Sequence, residues 1–365
     1  MTDPAGRMRD PVTGVDIDRL TGGQAIQHHL YFTGPTVTPD GRWLVSVSWE
    51  TGSPNLCCRE PGSGEIRRLT YRRDLHPFSA VLTRDGRSVL ASAGASLLGI
   101  TLPDGVESVL AGFPGGRVGQ VAMSPDGRSV IAQVSQAGAQ RIVVVDLGDG
   151  SIRTVLERAG PVGHVQVEPS GEHIMFSGES SARIWIVPIA GGGPRSLPQA
   201  AGEWITHEAW LAPGRVTHTK FHDGLYVTDL AGAAVPLFKG PIWHAAPRRD
   251  GLVVACDTHA PDIGLVLVAA ATGRWRVLCH PRSSNKGTQW FEPLPAGESA
   301  TDPSIFPPVG APPDESETLY GPQWTHPHPS WHPDGRSVLY TSDQSGTPHI
   351  YRAFIPDGWL DDLLA

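Results

Sequence analysis

The stretch Ser330-Trp331-His332-Pro333-Asp334-Gly335-Arg336-Ser337-Val338-Leu339-Tyr340-Thr341-Ser342-Asp343 decides the fold, because it joins a tight turn to a buried strand. Proline presets φ, aspartate caps the turn and glycine accepts a positive φ. The apolar, β-branched run that follows reads as a strand. The same phrase recurs as Thr38-Pro39-Asp40-Gly41-Arg42-Trp43-Leu44, Thr83-Arg84-Asp85-Gly86-Arg87-Ser88-Val89 and Ser124-Pro125-Asp126-Gly127-Arg128-Ser129-Val130. Weaker copies stand at Glu168-Pro169-Ser170-Gly171, Ala212-Pro213-Gly214-Arg215 and Arg248-Arg249-Asp250-Gly251. A second turn, as at Gly148-Asp149-Gly150 or Ala271-Thr272-Gly273, precedes a further strand in each unit. Strand-turn-strand units repeating roughly every forty residues have the period of propeller blades, so the seven copies predict an all-β, seven-bladed β-propeller.

Because a blade buries its faces only against its neighbours, a closed ring of seven takes up nearly all of the 365 residues as a single domain, 1–365. Residues from about Val15 to Leu20 are expected to supply a strand to the last blade, closing the ring without a free edge. The last interval between copies is long, and a proline-loaded insertion at about 286–322 accounts for it. Placed just ahead of Gln323, it reads as a loop over the end of the channel. The 43 glycines and 34 prolines supply the turns that such a chain needs. A formal charge of -8 and a pI near 6.0 argue against a nucleic-acid partner or an anionic membrane surface. No apolar run is long enough to span a bilayer, and the first residues lack a signal-peptide pattern, so a cytoplasmic protein is expected. The four cysteines agree: Cys57 and Cys58 are adjacent, and Cys256 and Cys279 sit in apolar strands as core. A monomer or a homodimer is expected.

Chemistry concentrates in Gln323-Trp324-Thr325-His326-Pro327-His328-Pro329, which the two prolines keep from being helical. In an extended strand His326 and His328 project to the same side and can address one object. Imidazoles suit a divalent transition metal, and an amide in the shell favours a harder, more open ion such as manganese. Zinc, calcium, magnesium and nickel are the alternatives. The nucleophile and phosphate-loop patterns are missing; Gly191-Gly192-Gly193 is a hairpin tip with no helix after it.

Thr325-His326-Pro327-His328-Pro329-Ser330, followed by the Pro-Asp-Gly turn and Tyr340-Thr341-Ser342-Asp343-Gln344-Ser345-Gly346, resembles the last blade of the oligogalacturonate lyases, polysaccharide lyase family 22. His29-Leu30-Tyr31-Phe32-Thr33, Gly64-Glu65-Ile66-Arg67-Arg68-Leu69-Thr70 and Glu203-Trp204-Ile205-Thr206-His207-Glu208 resemble other parts of that family, in order along the chain. The resemblance implies a seven-bladed propeller and a metal held by three histidines and a glutamine, which fall here on His280, Gln323, His326 and His328. It places the catalytic base on His244, about one sugar ring from the ion. The family's fifth-blade arginine has no match; Lys220 or His222 stands in its region, and Arg282 and His207 are further candidates for holding substrate. Alternatively, Glu203, His207 and Glu208 pair with one another and cap a blade edge.

The implied reaction is β-elimination on a short, acidic, uronate-containing oligosaccharide. A metal on the carboxylate acidifies the C5 proton, a neutral histidine removes it, and the O4 glycoside leaves. The alternatives are a metal-dependent propeller enzyme acting on another sugar or glycoside, such as an isomerase or epimerase, and a non-enzymatic binding propeller.

Overall fold

The structure, a computed structural model, describes residues 6–61, 65–285 and 323–365. Seven antiparallel sheets stand in a ring as the blades of a seven-bladed β-propeller. Blade 1 comprises Gln27–His29, Leu44–Ser48, Asn55–Arg59 and Arg67–Arg68, and blade 2 Val81–Leu82, Ser88–Ala93, Ser96–Thr101 and Glu107–Gly112. Blade 3 comprises Gly116–Met123, Ser129–Gln136, Ala139–Asp146 and Ile152–Arg158, and blade 4 Gly163–Val167, His173–Ser177, Ile184–Pro188 and Arg195–Ser196. Blade 5 comprises Ile205–Ala212, Arg215–Lys220, Gly224–Asp229 and Ala234–Lys239. Blade 6 comprises Ile242–Pro247, Val253–Thr258, Leu265–Ala269 and Trp275–Cys279.

Blade 7 is built from both ends of the chain. Ser330–Trp331, Ser337–Ser342 and His349–Phe354 are joined by Asp16–Arg19, with Arg7–Arg9 added outside. Ile17 pairs opposite Ala353, and Val15 and Ile17 are buried in one cluster with Val338, Tyr340 and Tyr351. The expected N-terminal closing strand is therefore present, with one more strand beyond it. The insertion expected at 286–322 lies outside the described residues.

The repeated turns work as their chemistry predicts. Asp40 Oδ1 accepts from Thr38 Oγ1–H at 2.6 Å and from Arg42 N–H at 3.0 Å, and Asp85 and Asp126 repeat the pattern with Thr83 and Arg87 and with Ser124 and Arg128. Gly86 has φ +68°, and a Cβ there would come within 3.0 Å of Pro39 Cδ. The turn of blade 2 thus nests on that of blade 1, so glycine serves the packing of blades as well as the turn.

Candidate active site in the channel

The innermost strands of blades 3 to 6 share an irregularity. Their pairing slips between Val118 and Val121, between Gly163 and Gln166, between Thr206 and Ala209, and between Ile242 and Ala245. Such a bulge re-aims side chains that regular pleating would send into the blade interfaces. In blades 4, 5 and 6 the released positions carry His164, His207 and His244. His164 and His207 have φ +45° and +52°, a conformation that costs a non-glycine residue roughly 1–3 kcal/mol and concentrates at functional sites.

His244 is fully buried and gripped by one carboxylate. Asp257, on the second strand of blade 6, accepts the His244 backbone N–H at 2.6 Å and His244 Nδ1–H at 2.8 Å, and it accepts the His328 backbone N–H at 3.0 Å. Burial pushes the Asp257 carboxyl up to about 6, against the pull of those backbone donors, so it remains mostly ionised at neutral pH. A carboxylate can only accept, so Nδ1 carries the proton and Nε2 the lone pair. Burial also drives His244, His207 and His328 well below the usual imidazole range, with neighbouring histidines adding to the shift. All three are neutral at pH 7 and can act as ligands or bases.

Ligand-capable atoms of His244, His326 and His328 lie within 4.8 Å of one another, all three residues being buried. Among the described residues, the Nε2 atoms of His244 and His328 have no hydrogen-bond partner, an arrangement that costs energy unless something binds there. Three buried imidazoles, one backed by a carboxylate, form a donor set suited to a divalent ion.

The backbone that presents the His-Pro-His phrase is not the extended strand expected from the sequence. Gln323–Thr325 form a 3₁₀ turn closed by His326 N–H to Gln323 O at 3.1 Å, and His328 has φ +46°. The two rings nevertheless stack at 5.7 Å between centroids. His29 Nε2 lies 3.2 Å from Pro327 O, bracing the segment between them. Its neighbour His28 instead stacks on Phe78 at 4.9 Å.

Other candidates fall elsewhere. His280 is outside the three-histidine group: its backbone N–H donates to Asp10 Oδ2 at 2.8 Å, and its ring lies 3.5 Å from Asp10 Oδ1. The rings of His244 and His328 are 3.9 Å apart, so His244 stands directly beside the two histidines of the His-Pro-His phrase. Lys220 pairs with Glu203 at 2.5 Å and lies over the Tyr226 ring at 4.5 Å. His222 is exposed on a turn with φ +63°, its ring 3.8 Å from that of Phe221. Arg282 is exposed with φ +54°. His207 lies in the channel, not in a pairing of Glu203 and Glu208, with its ring 4.1 Å from His244 and 4.5 Å from Trp243.

The structure adds residues that the motifs did not single out. Arg183 Nε lies 3.3 Å from both oxygens of buried Glu208, and its Nη2 lies 3.1 Å from His164 Nδ1. Burial alone raises the Glu208 carboxyl, but Arg183, His164 and Ser177 reverse this and hold it below the usual value. Tyr31 stacks on His164 and shares a hydrogen bond with His164 Nε2 at 3.3 Å, while Phe32 packs against His244 and His328. The channel therefore combines an imidazole cluster, an aromatic wall and a buried ion pair. A second acidic group, Glu168, Glu172 and His173, lies on a repeat turn, where Glu168 accepts from Gly214 N–H at 2.5 Å and lies 2.7 Å from His173 Nδ1.

No family model matches the chain. It is similar to an oligogalacturonide lyase of Pectobacterium atrosepticum, at 24% identity over 96% of this chain and 95% of the relative. It is also similar to an oligogalacturonate lyase of Dickeya dadantii, at 23% identity with the same coverage. Among solved structures, an oligogalacturonate lyase from Vibrio parahaemolyticus matches with TM-score 0.78 and 21% identity, covering 97% of each chain. An oligogalacturonate lyase in complex with manganese matches with TM-score 0.79 and 22% identity, covering 96% of each. The chain thus resembles oligogalacturonate lyases along nearly its whole length, and the structural matches share its fold.

Proposed function

We propose that this protein is a divalent-metal-dependent lyase that cleaves short oligogalacturonide-like acidic oligosaccharides by β-elimination. The observation that carries this reading is the set of buried His244, His326 and His328 imidazoles meeting in a channel, one of them held by Asp257. The full-length resemblance and the manganese-bound relative agree with it. His326 and His328 would hold the ion, with Gln323 at the head of their turn. Manganese would serve there as a Lewis acid, drawing charge from the uronate carboxylate and acidifying the neighbouring C–H. His244, with Nδ1–H on Asp257, offers the Nε2 lone pair to the C5 proton, and elimination then expels the O4 glycoside. The Arg183–Glu208 pair and the Tyr31 and Phe32 rings exclude water and shape the space around the sugar. Four buried, unbridged cysteines suit the cytoplasmic setting expected from the sequence.

The closeness of the three imidazoles favours a second assignment, in which His244 is a third ligand and His207, with Nδ1 unpartnered, is the base. One pair of variants separates the two. His326→Ala should lose about one bound divalent ion per chain together with activity. If His244 is the base, His244→Ala should keep its metal, measured by atomic emission, and lose turnover by about 10²- to 10⁴-fold. Loss of the ion from His244→Ala moves the base to His207. Wild-type protein that binds no divalent ion, or that forms no ultraviolet-absorbing unsaturated product from digalacturonate, overturns the function.

A further inference from the structure

Two side chains on Gly116–Met123, the innermost strand of blade 3, carry donors that no described residue satisfies. Arg117 is half-buried and makes no hydrogen bond or ion pair among the described residues, whereas Arg183 and Lys220 in the next two blades are held by Glu208 and Glu203. Its charge is felt by His76 at the opening of blade 2: burial first, and Arg117 second, push that imidazole down to about 4. Gln120 is held by one end only. Its Oε1 accepts the His164 N–H at 2.8 Å, so Nε2 is the free end, and that group keeps accessible surface although the residue as a whole is only 7% exposed. Gln120, Tyr31 and His164 line a cavity of about 10 Å³, room for one water or hydroxyl. Arg117 stands one residue before the bulge between Val118 and Val121, and Ile242 opens the corresponding bulge two residues before His244. Arg117 is therefore at the same end of the channel as the histidines, nearer the start of its strand. Blades adjacent in sequence touch all round the ring, which puts blades 6 and 7, the source of His244, His326 and His328, farthest from blade 3.

A half-buried guanidinium without a counter-charge favours an anion, and its flat fork matches a carboxylate. Three residues further along the strand, at most about 10 Å away, the Gln120 amide offers a neutral donor beside a cavity of hydroxyl size. A uronate ring presents both kinds of group, one carboxylate and its hydroxyls. We propose that Arg117 and Gln120 bind the uronate adjacent to the one at the histidines, Arg117 taking its carboxylate and Gln120 Nε2–H a hydroxyl. The oligosaccharide then crosses the channel from blades 6 and 7 to blade 3, and tight binding requires two consecutive acidic residues. This deepens the reading of the protein as an oligosaccharide lyase and rests on it for the identity of the ligand, but the contact itself needs neither metal nor turnover.

The test is a calorimetric titration of the full-length protein with divalent ions chelated, so that nothing is cleaved and no metal competes for carboxylate. Digalacturonate and its dimethyl ester are the probes. Wild-type protein should bind the acid about tenfold or more tighter than the ester, the worth of a charge-assisted hydrogen bond. Arg117→Ala should bind the two alike, and Arg117→Lys, which keeps the charge but not the fork, should fall between. Gln120→Glu keeps the acceptor for the His164 N–H and turns the free donor into an anion, so it should weaken digalacturonate more than the ester. A general loss of fold would lower affinity for both probes and leave the preference between them in place. Wild-type protein that binds neither probe or shows no preference for the acid, or Arg117→Ala protein that keeps the preference, overturns the site. Failure of the lyase reading would appear separately, as metal-loaded protein that prefers the acid but forms no unsaturated product.

Discussion

Asp257 carries the largest share of the arrangement at the residue scale, because one carboxylate fixes the His244 ring, the His244 backbone and the His328 backbone. Asp257→Asn preserves shape but replaces one accepting oxygen with an NH₂ group that would confront a donor. Metal affinity or turnover should fall by about 10- to 100-fold, measured by metal titration and steady-state kinetics, while an unchanged value for both would remove Asp257 from the site. Little in the sequence marks this residue. It stands alone in the apolar run Val253-Val254-Ala255-Cys256-Asp257-Thr258, and its role comes from a bulge in the neighbouring strand that turns a backbone N–H toward it. His326 and His328 were legible as partners because HxH spacing limits where two rings can go. The turn that presents them was not, since Gln323–Thr325 and the left-handed His328 depend on what they pack against. His280 turns to Asp10 because the N-terminal segment returns to close the ring beside it, a contact between residues 270 apart in sequence that local pattern does not reveal.

At the scale of elements, the propeller was readable because each blade repeats the same turn chemistry, and one missed copy would have been restored by the period. Weaker signals came from the innermost strands, whose bulges erase the alternation that normally marks a half-buried strand. The closing strand Asp16–Arg19 shows how far stability depends on chain ends. Its Ile17 is 2% exposed and packs with Tyr340, Tyr351 and Ala353, as a core residue of the last blade does. Ile17→Ala should therefore cost about 2–4 kcal/mol in urea unfolding, as much as a mid-chain core truncation and far more than a surface change near a terminus. A loss below about 0.5 kcal/mol would mean that the strand is not a closing element of the ring.

Across the whole molecule, the wealth of buried histidine makes the ring acid-labile. Burial lowers His28, His76 and His218 to about 4, from an ordinary 6.5. Between those values the unfolded chain binds protons that the folded chain refuses, so stability rises with pH and is lost as pH falls below 6.5. These three alone amount to about 4 kcal/mol per pH unit, and His259, also lowered to about 4, with His207, His244 and His328, lowered well below 6.5, add to it in the same direction. Asp257 acts in the opposite direction, because its carboxyl, pushed up to about 6, takes a proton in the folded state before the unfolded one does. That offsets about one histidine below pH 6, leaving a net loss of at least about 2–3 kcal/mol per unit between pH 6 and 5. The thermal midpoint of metal-free protein should fall steeply between pH 6.5 and 5, and potentiometry should record net proton uptake of at least about two per molecule on unfolding at pH 5. His28→Gln, whose ring stacks on Phe78 away from the histidine cluster, should flatten that slope by about one proton. An unfolding midpoint flat from pH 7 to 5 would mean that water or a counter-charge reaches these rings, and that the channel wall around them is more open than the packing shows.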